Sequence, residues 1–314
     1  MIFMENVINL CYRGDSISFG GEMFKFNKKE SERIHMKNEA ISICFPARKG
    51  GVGKTMIAGN VAACLANDGY RVLLICADSQ EDVSEKYLSS LEEFDIDEHN
   101  SLTDLLNGNC SIEECVVTTP MYRGYNNTIG KKIKRRLNGE YYSFDIIPAG
   151  TEIDEWRGED LWAIKNIVDQ VKNDYDFVLF DTPPAETEVV MLVYMAADYG
   201  VVPVSDQASF RSLQMTMNNF DLARENGSEI ECIGMVVNNA HASRKLDKFN
   251  EGVFRDNIGD LVFDTVIRAS SSIPNADAFS TPLCSFGQTT SGHEDFLRFY
   301  EELKERIAQH EEVR

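Results

Sequence analysis

The chain has 314 residues, 43% of them hydrophobic, which is enough for one large α/β domain and excludes an intrinsically disordered chain. Its formal net charge of −20 repels nucleic acid and anionic lipid at long range, so contact with either requires a local basic patch. The eight cysteines show no C-x-x-C spacing, which indicates neither a zinc nor an iron–sulfur site and favours a cytoplasmic protein. No apolar run is long enough to span a membrane.

The N-terminal residues differ in pattern from the rest of the chain. Residues 1–35 show no sustained hydrophobic period, and we predict a poorly ordered extension, or a segment that is not translated if initiation occurs at Met36. Residues 36–314 contain no repeat and no linker, so they are predicted to form a single domain.

From residue 41 onward, short apolar runs alternate with segments of helical periodicity. In chain order we predict strand 41–45, helix 55–67, strand 71–76, short helices 101–106 and 111–116, strand 142–148, helix 161–172, strand 177–180, helix 186–197, strand 201–204, helix 209–224, strand 232–237 and a last helix near 293–309. This alternation is typical of an α/β fold whose mostly parallel sheet carries helices on both faces.

The loop between the first predicted strand and helix, residues 49–55, reads Lys-Gly-Gly-Val-Gly-Lys-Thr. In this context a glycine-rich turn is typical of a phosphate loop, because its N–H groups point inward at a helix N-terminus. Lys54 would reach the β- and γ-phosphates, and the Thr55 hydroxyl would bind Mg²⁺. The loop residues predicted to bind the nucleotide are Gly50, Gly51, Val52, Gly53, Lys54, Thr55 and Met56.

A carboxylate that could organise the metal follows a later strand. The predicted strand 177–180 ends on Asp181, and Thr182, Pro183 and Pro184 prevent the strand from continuing. Ligands of open α/β sheets bind at the carboxyl ends of the strands. We therefore predict that Asp181 joins Thr55 as a metal residue.

Several motifs together resemble the ParA/MinD family, and more narrowly the ParA-type partition ATPases. They are the phosphate loop with its extra lysine, strand 71–76 followed by Ala77-Asp78-Ser79-Gln80, the Asp181-Thr182-Pro183-Pro184 run, and Thr265-Val266-Ile267 before Pro282. The resemblance covers about residues 39–310. It implies a Rossmann-like P-loop NTPase fold and an ATPase that uses ATP and Mg²⁺ to segregate a plasmid, an integrative element or a chromosome.

The resemblance also implies a homodimer that forms on ATP binding and a ParB-like activator protein. In such a dimer Lys49 would reach the phosphates bound by the partner subunit, and Asp78 would position the attacking water. A cation supplied in trans stabilises the charge that develops on the γ-phosphate, and a carboxylate can orient a water in line. Without the resemblance, Lys49 is a solvated turn lysine and Asp78 a helix cap.

Asn238 and Asn239 follow the predicted strand 232–237. In related ATPases the adenine contacts come partly from the end of such a strand, and an amide offers both a donor and an acceptor to the edge of the base. Two asparagines after a strand also fit a simple turn. We include both as candidate nucleotide-binding residues.

Three positions depart from the family pattern. Cys76 occupies the place of an aspartate two residues before Asp78, and Met56 replaces a hydroxyl residue after Thr55. The segment 268–276, which carries DNA-associated arginines in chromosomal relatives, has only Arg268. The candidate substitute for DNA binding is a basic run formed by Lys131, Lys132, Lys134, Arg135 and Arg136. Its alternative is a solvated loop in an acidic protein.

Two rival functions stay open. A MinD-like membrane-associated ATPase needs a basic amphipathic C-terminal helix, whereas residues 294–314 are rich in glutamate, so no membrane contact is expected. The second rival is an ATP-gated scaffold that binds partners with negligible hydrolysis, which Cys76 and Met56 would permit.

Overall fold

The structure is a computed structural model, and it describes residues 11–13, 16–19, 22–25, 39–88, 91, 94–96, 98–122, 127–128, 131–132, 141–185, 187–241, 244–278, 280–286 and 290–313. The strands are β1 (Cys11–Arg13), β2 (Ser16–Phe19), β3 (Glu22–Lys25), β4 (Ile41–Cys44), β5 (Val72–Cys76), β6 (Val117–Tyr122), β7 (Asn127–Thr128), β8 (Lys131–Lys132), β9 (Tyr141–Ile147), β10 (Phe177–Asp181), β11 (Tyr199–Val204), β12 (Glu231–Ala240) and β13 (Val262–Arg268).

Ten α-helices lie in the described part of the chain. They are α1 (Lys54–Asn67), α2 (Asp82–Leu88), α3 (Leu102–Leu106), α4 (Ile112–Cys115), α5 (Ala163–Val171), α6 (Glu188–Ala196), α7 (Gln207–Glu225), α8 (Lys245–Ile258), α9 (Ser272–Ala278) and α10 (Ser291–Val313).

The main sheet has eight strands in the order β13-β12-β11-β4-β10-β5-β9-β6. Every neighbouring pair in it is parallel except β6 with β9, which is antiparallel. All residues of β4, β5, β10 and β11 are buried, because helices cover both faces of the sheet. The predicted α/β fold with a mostly parallel sheet is therefore confirmed.

The register of the central strands fixes the place of the site. Strand β10 lies between β4 and β5, and Asp181 at its end pairs in register with Cys76 at the end of β5. The phosphate loop leaves β4 on the other side of β10. The residues that follow these three strands consequently meet at one edge of the sheet.

All thirteen elements that the sequence predicts from residue 41 onward are present, with ends that differ by a few residues. Serines ahead of the two short helices cap them as expected: Ser101 accepts the N–H of Asp104 before α3, and Ser111 belongs to a capping box before α4. Among the described elements from residue 41 onward, three helices and four strands have no counterpart in the prediction; they are α2, α8, α9, β6, β7, β8 and β13.

The N-terminal strands form a separate antiparallel pairing, β1 with β2 and β2 with β3. They fall within residues 1–35, where the sequence indicates no regular structure. The division of the chain into residues 1–35 and a domain from residue 36 onward stays a prediction. In the ranges that the structure describes, no helix has the length and apolar character to cross a membrane.

Helix α10 is held to the end of β13 by a bidentate ion pair. The Arg268 guanidinium donates to both carboxylate oxygens of Asp295 at 2.5 and 2.8 Å, and Arg298 donates to the same carboxylate at 2.8 Å. Asp295 is almost fully buried. Although burial raises the pKa of Asp295, the hydrogen bonds from Arg268 outweigh it and lower that pKa. Arg268 therefore has a structural partner within its own chain.

Candidate nucleotide-binding site

The phosphate loop has the backbone conformation that its glycines allow. Gly51 and Gly53 have φ values of 75° and 98°, which side chains with a Cβ rarely adopt. Helix α1 starts directly at Lys54, and its first N–H groups face the loop. The loop thus presents unpaired N–H donors at the positive end of a fourteen-residue helix, as an anion site requires.

Lys54 and Asp181 are two buried ionisable residues whose charges interact. Their side chains are only 5% and 2% exposed. Burial lowers the pKa of Lys54, and the nearby carboxylates of Asp181 and Asp78 only partly oppose this. Burial and the charge of Asp78 raise the pKa of Asp181 to about 7, against the opposing effects of Lys54 and the Thr55 hydroxyl. For both groups, loss of water outweighs the mutual attraction.

The pair Thr55 and Asp181 fits a magnesium ion. Asp181 Oδ1 is buried without a hydrogen-bond partner among the described residues, and the nearby Thr55 hydroxyl acts to lower the pKa of the same carboxylate. Both are hard oxygen donors. In the described residues no group of three His, Cys, Asp or Glu could hold a metal alone. Mg²⁺ in phosphate sites usually takes one or two protein ligands plus water and phosphate oxygens, so these two residues suffice.

Asp78 lies two residues past the end of β5 and is half-buried. Its Oδ1 accepts the N–H of Gln80 at 3.1 Å, which closes a turn, and helix α2 begins only at Asp82. Asp78 therefore does not cap that helix. Burial raises the pKa of Asp78, and the charges of Lys54 and Asp78 interact. The carboxylate thus faces the same charged centre as Lys54.

Lys49, at the start of the loop, is neither buried like Lys54 nor free in solvent. Its Nζ forms an ion pair with Asp206 Oδ2, and both side chains are about two-fifths exposed. Asp206 Oδ1 also accepts the N–H of Ser209 at 2.9 Å, so Asp206 is the N-cap of α7. The sequence identified Lys49 but not this partner, although the Asp206-x-x-Ser209 spacing is a capping signal.

Two clefts flank the loop. The first has a volume of about 500 Å³ and is lined by Gly51, Gly53, Met56, Asn238, Asn239, His241, Ala269, Ser270, Ser271, Ile273, Pro274 and Asp277. The second has a volume of about 760 Å³ and is lined by Gly51, Gly53, Lys54, Thr55, Met56, Asp82, Glu85, Lys86 and Asp277. An ion pair between Lys86 on α2 and Asp277 on α9 lies at the second cleft.

The two asparagines of the first cleft differ in their surroundings. Asn238 is buried, and its Nδ2 donates to the carbonyl oxygen of Val52 at 2.8 Å, so its side chain supports the phosphate loop. Its Oδ1 is buried and has no hydrogen-bond partner in the part of the chain that the structure describes. Asn239 is exposed, with a φ of 57°. An adenine amino group would suit the Asn238 oxygen as a donor, and a contact by either asparagine stays a prediction.

The structure brings together the predicted residues of the loop, Asp78 and Asp181. It does not describe most of the basic run: residues 133–140 lie outside the described part, and only the backbone pairing of Lys131 and Lys132 in β8 is given. Neither side chain of that strand is described.

A P-loop with a buried lysine and a strand-end aspartate defines this chain as a P-loop ATPase. A family model described as an AAA domain matches residues 40–230, which is more than half of the chain. The chain accordingly belongs to the ParA/Soj-like family of partition ATPases. It is 26% identical over 268 residues to the chromosome-partitioning ATPase Soj of Treponema pallidum, covering 85% of this chain and 96% of that relative.

Solved structures share the fold at low sequence identity. One is a putative plasmid partition protein of Borrelia burgdorferi bound to AMPPNP, with a TM-score of 0.65, 17% identity, and coverage of 86% of this chain and 99% of that chain. Another is cobyrinic acid a,c-diamide synthase of Mycobacterium smegmatis with ADP and magnesium, with a TM-score of 0.64, 17% identity, and coverage of 84% and 94%. These likenesses concern the fold.

The raised pKa of Asp181 predicts a stability change with pH in the metal-free protein. Because the folded pKa of about 7 exceeds the usual 3.8, the folded chain holds a proton that the unfolded chain releases, and the free energy of unfolding falls as pH rises toward 7. Asp181→Asn lacks this titration. We therefore expect its free energy of unfolding, relative to that of the native chain, to rise by about 2 kcal/mol from pH 5 to pH 8. Urea unfolding in EDTA at both pH values measures this, and a pH-independent difference would contradict it.

Proposed function

We propose that this protein is an ATP-dependent dimerising ATPase of DNA partition, which hydrolyses ATP to ADP and phosphate. The observation that carries the proposal is the pair of loop lysines with opposite surroundings. Lys54 is buried beside Asp181, whereas Lys49 is half-exposed at the outer end of the loop. A second lysine at the outer end of the loop could reach the phosphates of a nucleotide bound by another copy of the chain.

The residues of the site have distinct tasks in this proposal. The loop N–H groups and Lys54 bind the phosphates and offset the negative charge that develops on the γ-phosphate. Thr55 and Asp181 would hold Mg²⁺, which would supply positive charge to offset that of the phosphates. Asp78 orients the attacking water and accepts its proton, and burial favours this by raising the pKa of Asp78.

Lys49 must leave Asp206 to act in trans. The pair that holds it is about two-fifths exposed, and exposed pairs contribute only about 0 to 1 kcal/mol because water and salt screen them. A triphosphate carries several negative charges and competes well with one carboxylate. We infer that Lys49 exchanges Asp206 for the phosphates bound by a second copy of the chain.

This exchange predicts opposite effects for two variants. Lys49→Ala prevents dimerisation with AMPPNP and Mg²⁺ because the cation in trans is lost. Asp206→Asn strengthens it roughly fivefold, since the lysine is freed and asparagine is as good an N-cap as aspartate. Light scattering across protein concentrations measures both effects. Lys165→Ala, which removes a lysine from another exposed ion pair, serves as the matched control. Dimerisation of Lys49→Ala at the native concentration would refute the exchange.

Asp78→Ala tests the hydrolytic step alone. The variant binds ATP and dimerises, but its turnover falls about 100-fold or more because a positioned carboxylate no longer orients the water. A single-turnover assay with radiolabelled ATP measures the rate, with Asp174→Ala as the control for loss of an exposed carboxylate. Unchanged turnover would remove Asp78 from the mechanism, and negligible turnover of the native protein itself would favour the ATP-gated scaffold.

Contact with DNA phosphates requires cationic side chains that are not already paired with carboxylates of the protein. Arg268 is not available, because Asp295 holds it. Arg244, Lys245 and Lys248 at the start of α8 are exposed, and none has an ion pair among the described residues. Their helix borders the first cleft, since Asp247 of α8 accepts the N–H of His241 at 2.7 Å. We propose that this basic helix start and the run at 131–136 contact DNA phosphates.

We predict weak, sequence-independent DNA binding that requires the ATP dimer, because two copies double the phosphate contacts. Alanine at Lys131, Lys132, Lys134, Arg135 and Arg136 abolishes binding without affecting dimerisation. Glutamate at Arg244, Lys245 and Lys248 weakens binding and reduces its dependence on salt. Gel shifts with a random duplex at several salt concentrations measure both variants. If neither variant loses affinity, or the native protein binds no DNA at low salt, the DNA role is wrong.

The proposal also includes a DNA-bound activator of the ParB type, which would stimulate hydrolysis in the ATP dimer. Relatives named for chromosome and plasmid partition support this assignment. A membrane role has less support, because α10 carries exposed glutamates such as Glu301, Glu305 and Glu312 in place of a basic face.

A further inference from the structure

The turn that carries Asp78 is tied at two points to the segment that follows β9. The Ser79 hydroxyl donates to Asp154 Oδ2, and Glu81 Oε1 accepts the N–H of Gly150 at 2.5 Å. Both ties join parts of the chain that are about 70 residues apart. The segment after β9 therefore acts as a support on which the Asp78 turn rests.

Two energetically unfavourable features accompany the position of Glu81, a strained backbone and a buried carboxylate. Its φ of 55° lies in the left-handed region, where a residue with a side chain is strained. Its carboxylate is also buried, with a residue exposure of 8%, which penalises a charge. Strained and desolvated residues of this kind persist only where other contacts hold them. The hydrogen bond from the Gly150 N–H is one contact that holds Glu81, and Ser84 and the Ala149 N–H also stabilise its carboxylate.

The Gly150 N–H that donates this hydrogen bond is held in place by close packing around the glycine. Its φ is 83°, and a Cβ at this position would lie only 2.5 Å from the Ser101 hydroxyl and 2.9 Å from that of Thr103. Thr103 in turn donates its hydroxyl to the carbonyl oxygen of Ala149 at 2.9 Å. Helix α3 thus packs so closely on Gly150 that the N–H facing Glu81 has little freedom to move.

Glu81 and Asp78 belong to the same hydrogen-bonded turn, so the position of Glu81 affects that of Asp78. The N–H of Glu81 donates to the Asp78 carbonyl oxygen at 3.1 Å, and the N–H of Gln80 donates to the Asp78 carboxylate at 3.1 Å. The direction of the carboxylate is set by this turn, and the far end of the turn is Glu81. A turn released from Gly150 would let the carboxylate rotate.

We propose that Glu81 is a positioning residue for ATP hydrolysis, which holds the Asp78 turn in its productive orientation through the hydrogen bond from Gly150. The inference rests on the proposed role of Asp78. Glu81 itself need not touch nucleotide or water. Its loss should therefore reduce turnover without weakening nucleotide binding, because the phosphate loop and Lys54 stay in place.

Three substitutions at one position separate this role from a structural one. Glu81→Ala removes the acceptor, and misplacement of a catalytic group by about 1 Å lowers the rate roughly 10- to 100-fold. Glu81→Gln retains an oxygen that accepts the Gly150 N–H and should keep turnover within about threefold of the native rate. Glu81→Gly removes the acceptor but also the strain, so it should be as stable as the native protein and still turn over slowly.

Four measurements apply to each variant: single-turnover ATP hydrolysis, the dissociation constant of ATP with Mg²⁺, the melting temperature, and amide exchange at Gly150. We expect slow hydrolysis and fast Gly150 exchange in Glu81→Ala and Glu81→Gly, with an ATP affinity close to that of the native chain. Glu113→Ala, an exposed glutamate on α4, controls for loss of negative charge. Even if Glu81→Ala fails to fold, the glycine and glutamine variants still decide the question.

The possible failures are distinct. If Glu81→Gly hydrolyses ATP at the native rate while Asp78→Ala does not, the positioning role is wrong and the function of Asp78 stands. A glutamine variant as slow as the glycine variant would also overturn the inference, because its amide oxygen can make the bond to Gly150. If Asp78→Ala keeps full turnover, the proposed function of Asp78 fails, and the inference fails with it.

Discussion

The site depends on two interacting ionisable groups whose charged forms are disfavoured by burial. Lys54 and Asp181 are both more than nine-tenths buried at the end of the central strands, and for each of them loss of water favours the neutral form. An anion beside Lys54 and a cation beside Asp181 would each restore the charged form. The two groups together therefore favour a ligand of mixed charge, and a metal–triphosphate complex carries both a cation and an anion.

The sheet explains why these groups meet at all. Strand β10 enters between β4 and β5, so that the end carrying Asp181 is flanked by the strands leading to the phosphate loop and to Asp78. Parallel strands point their carboxyl ends in one direction, which gathers three sequence-distant segments on one edge. The chemistry of the site therefore follows from strand order as much as from residue type.

Local signals made much of this predictable from the sequence. The phosphate loop, the strand ending on Asp181 and the helix caps at Ser101 and Ser111 depend on neighbours within a few residues, and each was found where the sequence indicated. Three missed elements have local causes as well. Pro120 lies within β6 and Pro274 within α9, and a proline argues against an interior strand or helix. Helix α8 exposes Leu246 and Phe249, so its apolar residues do not all lie on one face.

Long-range pairings could not be predicted in the same way. The partners Lys49 and Asp206 are 157 residues apart, Glu81 and Gly150 are 69 apart, and both pairings depend on the folded sheet. The partner of Arg268 is a further case. The sequence shows only that it is the single arginine of segment 268–276, and the fold shows that Asp295 of the C-terminal helix pairs with it.

The net negative charge of the chain is the reason that the Lys49 cation matters for the proposed dimer. Two copies that each carry a net charge of −20 repel one another, and two triphosphates between them would add to that repulsion. A buried lysine cannot offset charge on a second molecule, because it is already committed to its own site. Lys49 can, since it is held only by an exposed pair with a carboxylate. In the structure Asp206 neutralises this charge, and under the proposed function a triphosphate would offer the lysine a stronger anion.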